Sequence, residues 1–170
     1  FLFTLNDYFE VTAGAFIAYG GEVLRFIGDS VLAIFPIDES VTAEAAAKAA
    51  VAALYQADKR LIAVNKRRQH KGKPDIAFGA GLHVGKVLYG NIGVPERIEF
   101  SVIGAAANEA ARIESLTKPH DCNALASKAF VELTPEGWKS VEHHALRGVG
   151  DEIEIFALSE GQVTQKTAGA

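Results

Sequence analysis

The chain has 170 residues, of which 49% are hydrophobic and 22% are charged, and its formal net charge is −4. This length predicts one domain, and the composition is that of a globular protein, which excludes a disordered or fibrous chain. The negative charge gives no support for a surface that attracts nucleic acid or an anionic membrane.

The first predicted elements are a helix and a hairpin. Apolar residues recur at helical spacing in Leu5–Val11, which predicts the later turns of an amphipathic helix. Glu22–Phe35 contains two apolar runs on either side of Gly28-Asp29. A two-residue Gly/Asp turn tolerates the positive φ that tight hairpins need, so we expect two antiparallel strands here.

A long helix follows, capped by Ser40 or Thr42 and running to about Arg68. Its segment Ala43–Ala57 is the most apolar stretch of the chain, but two charged residues interrupt it. No stretch reaches the roughly 18 apolar residues of a membrane span, so we expect no membrane segment. The N-terminus carries no signal-peptide pattern.

The second half predicts mostly strands. Ile76–Val84 and Lys86–Ile92 are rich in β-formers and flank Gly85, which predicts a second hairpin. The remaining predicted elements are a strand over Ile98–Ile103, a helix from Gly104 to about Thr117, a strand over Cys122–Ala126, a short helix over Lys128–Leu133 and two closing strands, Val141–Leu146 and Glu152–Leu158. This order predicts an α/β (α+β) sandwich with a mainly antiparallel sheet, not a doubly wound Rossmann domain. Residues 159–170 have almost no large apolar side chain, and we expect a flexible tail there.

Asp29 is the first candidate for chemistry. The turn predicts a carboxylate on a rigid and accessible hairpin tip, which suits a hard cation such as Mg²⁺. The alternative is that Asp29 is only a turn residue. The interpretation of Asp29 as a metal ligand therefore depends on the other candidate site residues.

Asn108 and Arg112 are the second candidate. They stand four residues apart in a predicted helix and therefore share one face. An Arg can fork onto phosphate oxygens, and an Asn can orient a sugar or ring oxygen beside it. The alternative is a solvated helix face on which Arg112 pairs with Glu109.

Other polar residues carry weaker signals. Arg147 precedes Gly148-Val149-Gly150, where a cation could contact phosphate, but an isolated Arg at a strand end is more often exposed to solvent. The basic run Lys66–Lys73 is explained by a solvated helix end. Cys122 is the only cysteine, which excludes an intrachain disulfide and fits a reducing compartment. We expect it to be a packed residue rather than a nucleophile. The histidines His83, His143 and His144 show no metal-ligand spacing.

Together these segments resemble the catalytic domain of class III adenylate/guanylate (nucleotidyl) cyclases. The most specific match combines Phe26-Ile27-Gly28-Asp29 with the run Asn108-x-Ala-Ala-Arg112-x-Glu. Further matching blocks span most of residues 1–158 in the family's order: Leu5–Glu10, Gly20 through Phe35, Gly81–Gly85, Tyr89–Gly93, Phe100–Leu116 and Leu146–Phe156.

The resemblance implies a ferredoxin-like nucleotide cyclase fold over residues 1–158, working as a head-to-tail homodimer with composite sites at its interface. It implies an adenylate cyclase that converts ATP to 3′,5′-cyclic AMP and pyrophosphate with two Mg²⁺ or Mn²⁺ ions per site. It also implies a cytoplasmic location and no nucleic-acid partner.

Individual roles carry over only at matching positions. Asp29 matches a metal-binding aspartate that follows Gly28, Asn108 the residue that orients the ribose, and Arg112 the cation beside the α-phosphate. Arg147 matches a residue that contacts the terminal phosphates. Arg25 and Ser101 match the pair that reads the purine.

Two departures qualify the resemblance. The family's first metal aspartate lies on an opening strand for which this sequence has no match. The chain begins at Phe1 and contains no methionine, so we expect that strand to precede Phe1 in a longer protein or to be disordered. Arg25 replaces the usual lysine, and Ser101 replaces Asp or Thr. Because serine keeps the threonine hydroxyl, this pair leans toward ATP, although a hydroxyl discriminates weakly. The alternatives are a guanylate cyclase, a weak or inactive cyclase-homology module for regulation or dimerisation, and a polymerase-like palm domain.

Overall fold

The computed structural model describes residues 2–145 and 152–159. These residues form four helices and eight strands. In chain order they are α1 Leu2–Ala18, β1 Glu22–Ile27, β2 Ser30–Ile34, α2 Ala43–Gln69, β3 Ala80–Leu82, β4 Leu88–Val94, β5 Arg97–Ile103, α3 Ala105–Ser115, β6 Ala124–Ser127, α4 Lys128–Val131, β7 Trp138–Ala145 and β8 Glu152–Leu158.

The strands form one four-stranded sheet and two hairpins. The sheet has the order β3-β6-β8-β7, while β1 pairs with β2 and β4 pairs with β5. Only the β3–β6 pairing is parallel among the described strands; the other four pairings are antiparallel. The predicted mixed α/β class with mainly antiparallel pairing is therefore confirmed.

The first hairpin and the long helix form where the sequence predicts them. Gly28 has φ +61°, a left-handed conformation that glycine adopts without steric cost, and it turns β1 into β2. Thr42 caps α2, because its side-chain oxygen accepts a hydrogen bond from the Ala45 backbone N–H at 3.2 Å. Among the described residues, no helix combines the length and the apolar character needed to cross a bilayer.

The second predicted hairpin is wrong. Residues 76–79 lie outside the strands, β3 is three residues long, and it pairs in parallel with β6 instead of turning back at Gly85. Gly85 is instead a point of close approach, because a Cβ there would lie 2.6 Å from the Ala106 Cβ. The strand β4 pairs with β5, from Leu88 opposite Ile103 to Val94 opposite Arg97. Both segments of the predicted hairpin are rich in β-forming residues, so their composition does not determine which strands pair. Tertiary contacts determine the pairing.

The core lies between α2 and the four-stranded sheet. The alanine-rich face of α2 buries Ala47, Ala50 and Leu54 against Leu82 of β3 and Phe130 of α4. A second cluster under α3 joins the fully buried Ile113, Leu125 and Ile155. This packing holds α3 against the sheet and leaves one face of α3 exposed to solvent.

The flexible tail expected over residues 159–170 lies outside the described residues, apart from Ser159.

Candidate active site

Asp29 occupies the tip of the β1–β2 hairpin. The turn residues Gly28 and Asp29 are both exposed. The hairpin is held against α1, where the rings of Phe9 and Phe26 lie 4.4 Å apart between centroids. The sequence therefore places a carboxylate on a supported and accessible tip, as the turn predicts.

Asn108 and Arg112 share the outer face of α3. Both side chains are exposed, whereas Ile113 on the other side is fully buried. The buried side rests directly on β3, because a Cβ on Gly81 would overlap the Ala110 carbonyl oxygen and the Glu114 backbone N. The amide and the guanidinium thus stand one turn apart and point away from the sheet.

The carboxylate of Asp29 lies near a different face of α3. Burial and then the Asp29 charge raise the pKa of Glu114, and Lys118 offsets part of this effect. At about 100° per residue, Glu114 lies about 200° around the helix axis from Arg112. Within one chain, the charge of Asp29 therefore acts on a face of α3 other than the face that carries Arg112.

The half-buried phenol of Tyr8 interacts electrostatically with the same two carboxylates. Burial, with smaller contributions from Glu114 and Asp29, raises the pKa of Tyr8 to about 12. Tyr8 therefore stays protonated at neutral pH and gives the hairpin tip a neutral polar neighbour.

Arg112 does not pair with Glu109, which was the alternative for this helix face. The Glu109 carboxylate instead lies 2.6 Å from His83 Nε2. Among the described residues no ion pair engages Arg112. Its guanidinium is therefore available to an external anion.

The remaining predicted site residues are spread over other elements. Arg25 is exposed on β1, and Ser101 is half-buried on β5 opposite Gly90. Tyr89, next to Gly90 on β4, donates a hydrogen bond to Glu22 on β1 at 3.4 Å, so the two hairpins are neighbours. Arg147 lies outside the described residues.

Asp29 fits a divalent cation as a single carboxylate ligand. Mg²⁺ is commonly held by one or two carboxylates together with substrate phosphates and water. No group of three or more His, Cys, Asp or Glu side chains that could hold a metal occurs in the described part of the chain. A cation bound to Asp29 would therefore take most of its ligands from groups other than the His, Cys, Asp and Glu side chains of the described residues.

Cys122 packs against the Ile113–Leu125–Ile155 cluster, as expected of a packed residue. Burial and the charge of Asp121 raise the pKa of its thiol above the ordinary value. A raised pKa disfavours the thiolate, which is the nucleophilic form.

Sequence reasoning missed two sets of site neighbours. The charge of Asp29 acts on Tyr8 and Glu114, while His83 contacts both Glu109 and Ser127. Each set joins residues far apart in the chain, so no local spacing signals it.

Comparisons with known proteins agree with the residue pattern. The family model described as "Adenylate and Guanylate cyclase catalytic domain" matches residues 2–159. An adenylate cyclase of Anabaena cylindrica is 37% identical over 162 residues, covering 91% of this chain and 31% of that protein. Adenylate cyclase 1 of Rhizobium meliloti is 32% identical over 129 residues, covering 75% of this chain and 19% of that protein. The chain thus spans less than a third of the length of these curated relatives.

Solved structures show the same fold. A bacterial light-regulated adenylyl cyclase has a TM-score of 0.75 and 26% identity, covering 95% of this chain and 46% of the other. The guanylyl cyclase Cya2 has a TM-score of 0.76 and 26% identity, covering 96% and 84%. The fold, the family model and the relatives agree: this chain belongs to the adenylate and guanylate cyclase catalytic domain family, the class III nucleotidyl cyclases.

Proposed function

We propose that this domain is an adenylate cyclase that converts ATP into 3′,5′-cyclic AMP and pyrophosphate as a homodimer. Each of its two sites takes Asp29 from one chain and Asn108 with Arg112 from the other. The proposal is supported by the exposure of Asn108 and Arg112 on one face of α3, while the charge of Asp29 acts on Glu114, about 200° around that helix from Arg112. Two chains related by a two-fold axis can bring the hairpin tip of one chain to the Asn108–Arg112 face of the other.

An exposed apolar surface on the second hairpin supports the dimer. On β4 and β5, Leu88 is 76% exposed and Ile98 is 63% exposed, and Ile103 at the end of β5 is also exposed. Contiguous exposed apolar residues are typical of surfaces that another protein covers. Because Gly104 leads directly from Ile103 into α3, a second copy on this surface would also reach the face that carries Asn108.

The reaction is an in-line displacement at the α-phosphorus. The ribose 3′-oxygen forms a bond to the α-phosphorus, the bond to the β-phosphate oxygen breaks, and pyrophosphate leaves while the hydroxyl proton passes to solvent. Divalent cations, two Mg²⁺ or Mn²⁺ ions per site, would polarise the phosphoryl oxygens and lower the pKa of the attacking hydroxyl.

The residues of this chain bind and orient the nucleotide. Asp29 supplies a carboxylate for the cation, beside the backbone of Gly28. The amide of Asn108 hydrogen-bonds the ribose ring and holds the 3′-hydroxyl in line with phosphorus. The guanidinium of Arg112 stabilises the charge that grows on the α-phosphate oxygens in the transition state. Arg147 would contact the terminal phosphates.

Arg25 and Ser101 would read the purine, and this pair favours ATP. The Arg25 guanidinium donates only, so it can bond the acceptor N1 of adenine or the acceptors O6 and N7 of guanine, and the lean toward ATP rests on Ser101. The Ser101 hydroxyl can accept from the 6-amino group. Both adenylyl and guanylyl cyclases occur among the similar structures, so the choice of nucleotide is decided by assay.

A regulatory, inactive module is the second candidate. It is favoured by one observation: the described residues offer the hairpin tip a single aspartate as a ready metal ligand, and no cluster of three or more donors. Such a module would dimerise and bind nucleotide without forming a cyclic product.

The test is an assay of the natural protein, including any residues encoded ahead of Phe1, with ATP or GTP and with Mg²⁺ or Mn²⁺. We expect cyclic AMP as the main product. The Arg112→Ala variant should lower kcat about a hundredfold or more, because the interaction strengthens in the transition state. The matched control is Arg67→Ala, an exposed arginine at the far end of α2, which should leave kcat unchanged. Cyclic GMP as the main product would contradict the ATP assignment, and nucleotide binding without any cyclic product would favour the regulatory module.

A further inference from the structure

A chain of polar contacts runs from the four-stranded sheet to α3. His83 follows the end of β3, and its Nε2 lies 2.6 Å from the Glu109 carboxylate. Its Nδ1 lies 2.8 Å from the Ser127 Oγ. Ser127 caps α4, because its Oγ accepts a hydrogen bond from the Phe130 backbone N–H at 3.3 Å. One imidazole therefore joins the ends of β3, β6 and α4 to the first half of α3.

The contacts are sheltered from water. The His83 side chain is 14% exposed and that of Glu109 is 21% exposed, so solvent screens their interaction less than it screens a surface pair. The Ser127 hydroxyl, already accepting from Phe130, can donate its proton to His83 Nδ1. Nε2–H then donates to Glu109, so that both ring nitrogens of His83 have a partner.

Glu109 is adjacent to the proposed nucleotide-binding face. It directly follows Asn108 and stands one turn before Arg112. A free carboxylate at this position could rotate toward the Arg112 guanidinium and compete with a phosphate for it. In the structure His83 engages it instead, which leaves Arg112 without an ion pair among the described residues.

Both halves of α3 are closely packed, and the first half meets its neighbours at Gly85, where a Cβ would lie 2.6 Å from the Ala106 Cβ. Toward its C-terminus, α3 rests on Gly81 and on the buried side chain of Ile113. Toward its N-terminus it begins at Gly104, and no side-chain hydrogen bond caps it there. The His83–Glu109 contact lies in this first half.

We propose that His83 and Glu109 are positioning residues for the cyclase reaction. Their contact fixes the first half of α3 on the sheet and holds the Glu109 carboxylate away from Arg112. Asn108 and Arg112 then stand ready for the ribose and the α-phosphate. This inference rests on the proposed function for its effect on catalysis, but the attachment of α3 can be measured without turnover.

The catalytic test compares His83→Ala, Glu109→Ala and Glu109→Gln in the natural protein with ATP and Mn²⁺. We expect the two alanine variants to lose about tenfold to a hundredfold in kcat, since small misplacements of orienting groups are costly, with KM changed much less. Glu109→Gln keeps an acceptor oxygen for Nε2–H and should retain most of the kcat. The double variant His83→Ala/Glu109→Ala should be no worse than either single variant, because both lose the same contact. Glu136→Gln, at an exposed turn, is the matched control.

The second measurement is amide hydrogen exchange, which requires no activity. We expect faster exchange in α3 of both alanine variants, with exchange in α2 unchanged. Unchanged exchange in α3, or an equal increase in α2 and α3, would overturn the positioning role, since the contact would then be dispensable or only contribute to global stability. Equal loss of kcat in Glu109→Gln and Glu109→Ala would also overturn it. A parent protein that forms no cyclic product would contradict the proposed function, while the exchange data would still decide on the attachment.

Discussion

Glu114 of α3 is coupled electrostatically to Asp29 at the tip of the first hairpin: burial raises the pKa of Glu114, Lys118 offsets part of this effect, and the charge of Asp29 adds to it. The relationship joins the hairpin to the sheet-facing side of α3.

The raised pKa of Glu114 predicts a pH-dependent stability. A carboxyl whose folded pKa is raised favours folding while it is protonated, and this advantage is lost as the pH rises through the folded pKa. Glu114→Gln removes the cost of the ionised form, so we expect its Tm to exceed that of the parent at neutral pH and to converge with it below about pH 4. Thermal unfolding across this range is the measurement. Glu136→Gln, at an exposed turn, should match the parent throughout; a Glu114→Gln variant less stable than the parent at neutral pH would contradict the assignment.

Tyr8 provides a spectroscopic test of the same neighbourhood. Burial, then Glu114 and Asp29, raise its pKa to about 12. We therefore expect the Tyr8 phenol to remain protonated at about pH 11, where an ordinary tyrosine with a pKa near 10 is mostly ionised. Its stabilising contribution is lost as the pH rises above about 10 toward the folded value.

The measurement is an NMR titration of the Tyr8 ring, assigned with Tyr8→Phe. Asp29→Asn should lower the pKa of Tyr8, since it removes one of the charges that oppose ionisation. An unaltered pKa in Asp29→Asn would show that the hairpin tip does not face this phenol.

The close packing of α3 on β3 predicts a strong effect of one added methyl group. In Gly81→Ala the new Cβ would overlap backbone atoms of Ala110 and Glu114, which cannot move without shifting α3. We expect a loss of about 1–3 kcal/mol in the free energy of unfolding, as is typical of overpacking. Gly90→Ala is the matched control, because a Cβ there meets nothing within 4 Å. Equal stability of the two variants in chemical denaturation would contradict this packing.

The exposed apolar side chains of the β4–β5 hairpin predict where the dimer interface lies. Leu88→Lys and Ile98→Lys replace side chains that are 76% and 63% exposed in the isolated chain. Each should shift the protein toward monomer in sedimentation velocity and lower cyclase activity in parallel, with little change in monomer stability. Ile37→Lys, at an exposed position after β2, should leave the oligomeric state unchanged. Dimers that persist in both hairpin variants would place the interface elsewhere.

Local signals predicted much of the fold correctly. The Gly28-Asp29 turn and the Thr42 cap each require a particular residue at a particular position, and both form as expected. The error came where two strands could pair with the same partner: β4 joins β5, and β3 joins β6 across a long stretch of chain. Pairing of this kind depends on how α3 packs, which periodicity does not report.

The candidate site, like the fold, was predicted from the sequence only in part. The shared face of Asn108 and Arg112 follows from helical spacing, and the structure exposes both residues. The partner of Glu109 could not be foreseen, since its carboxylate can reach Arg112 along the helix as well as His83 across it. Burial of the imidazole between Ser127 and Glu109 decides between these two partners.

The composite site is tested most directly by mixing two inactive variants, Asp29→Ala and Arg112→Ala, of the natural protein. Each homodimer has two damaged sites, whereas a mixed dimer has one intact site and one doubly damaged site. Random exchange makes half of the dimers mixed, and each mixed dimer has one of its two sites intact. We therefore expect recovery of about a quarter of the parent's cyclase activity after chains are exchanged. An exchanged mixture that stays as inactive as its separate components, with mixed dimers shown to be present, would contradict a site shared between two chains.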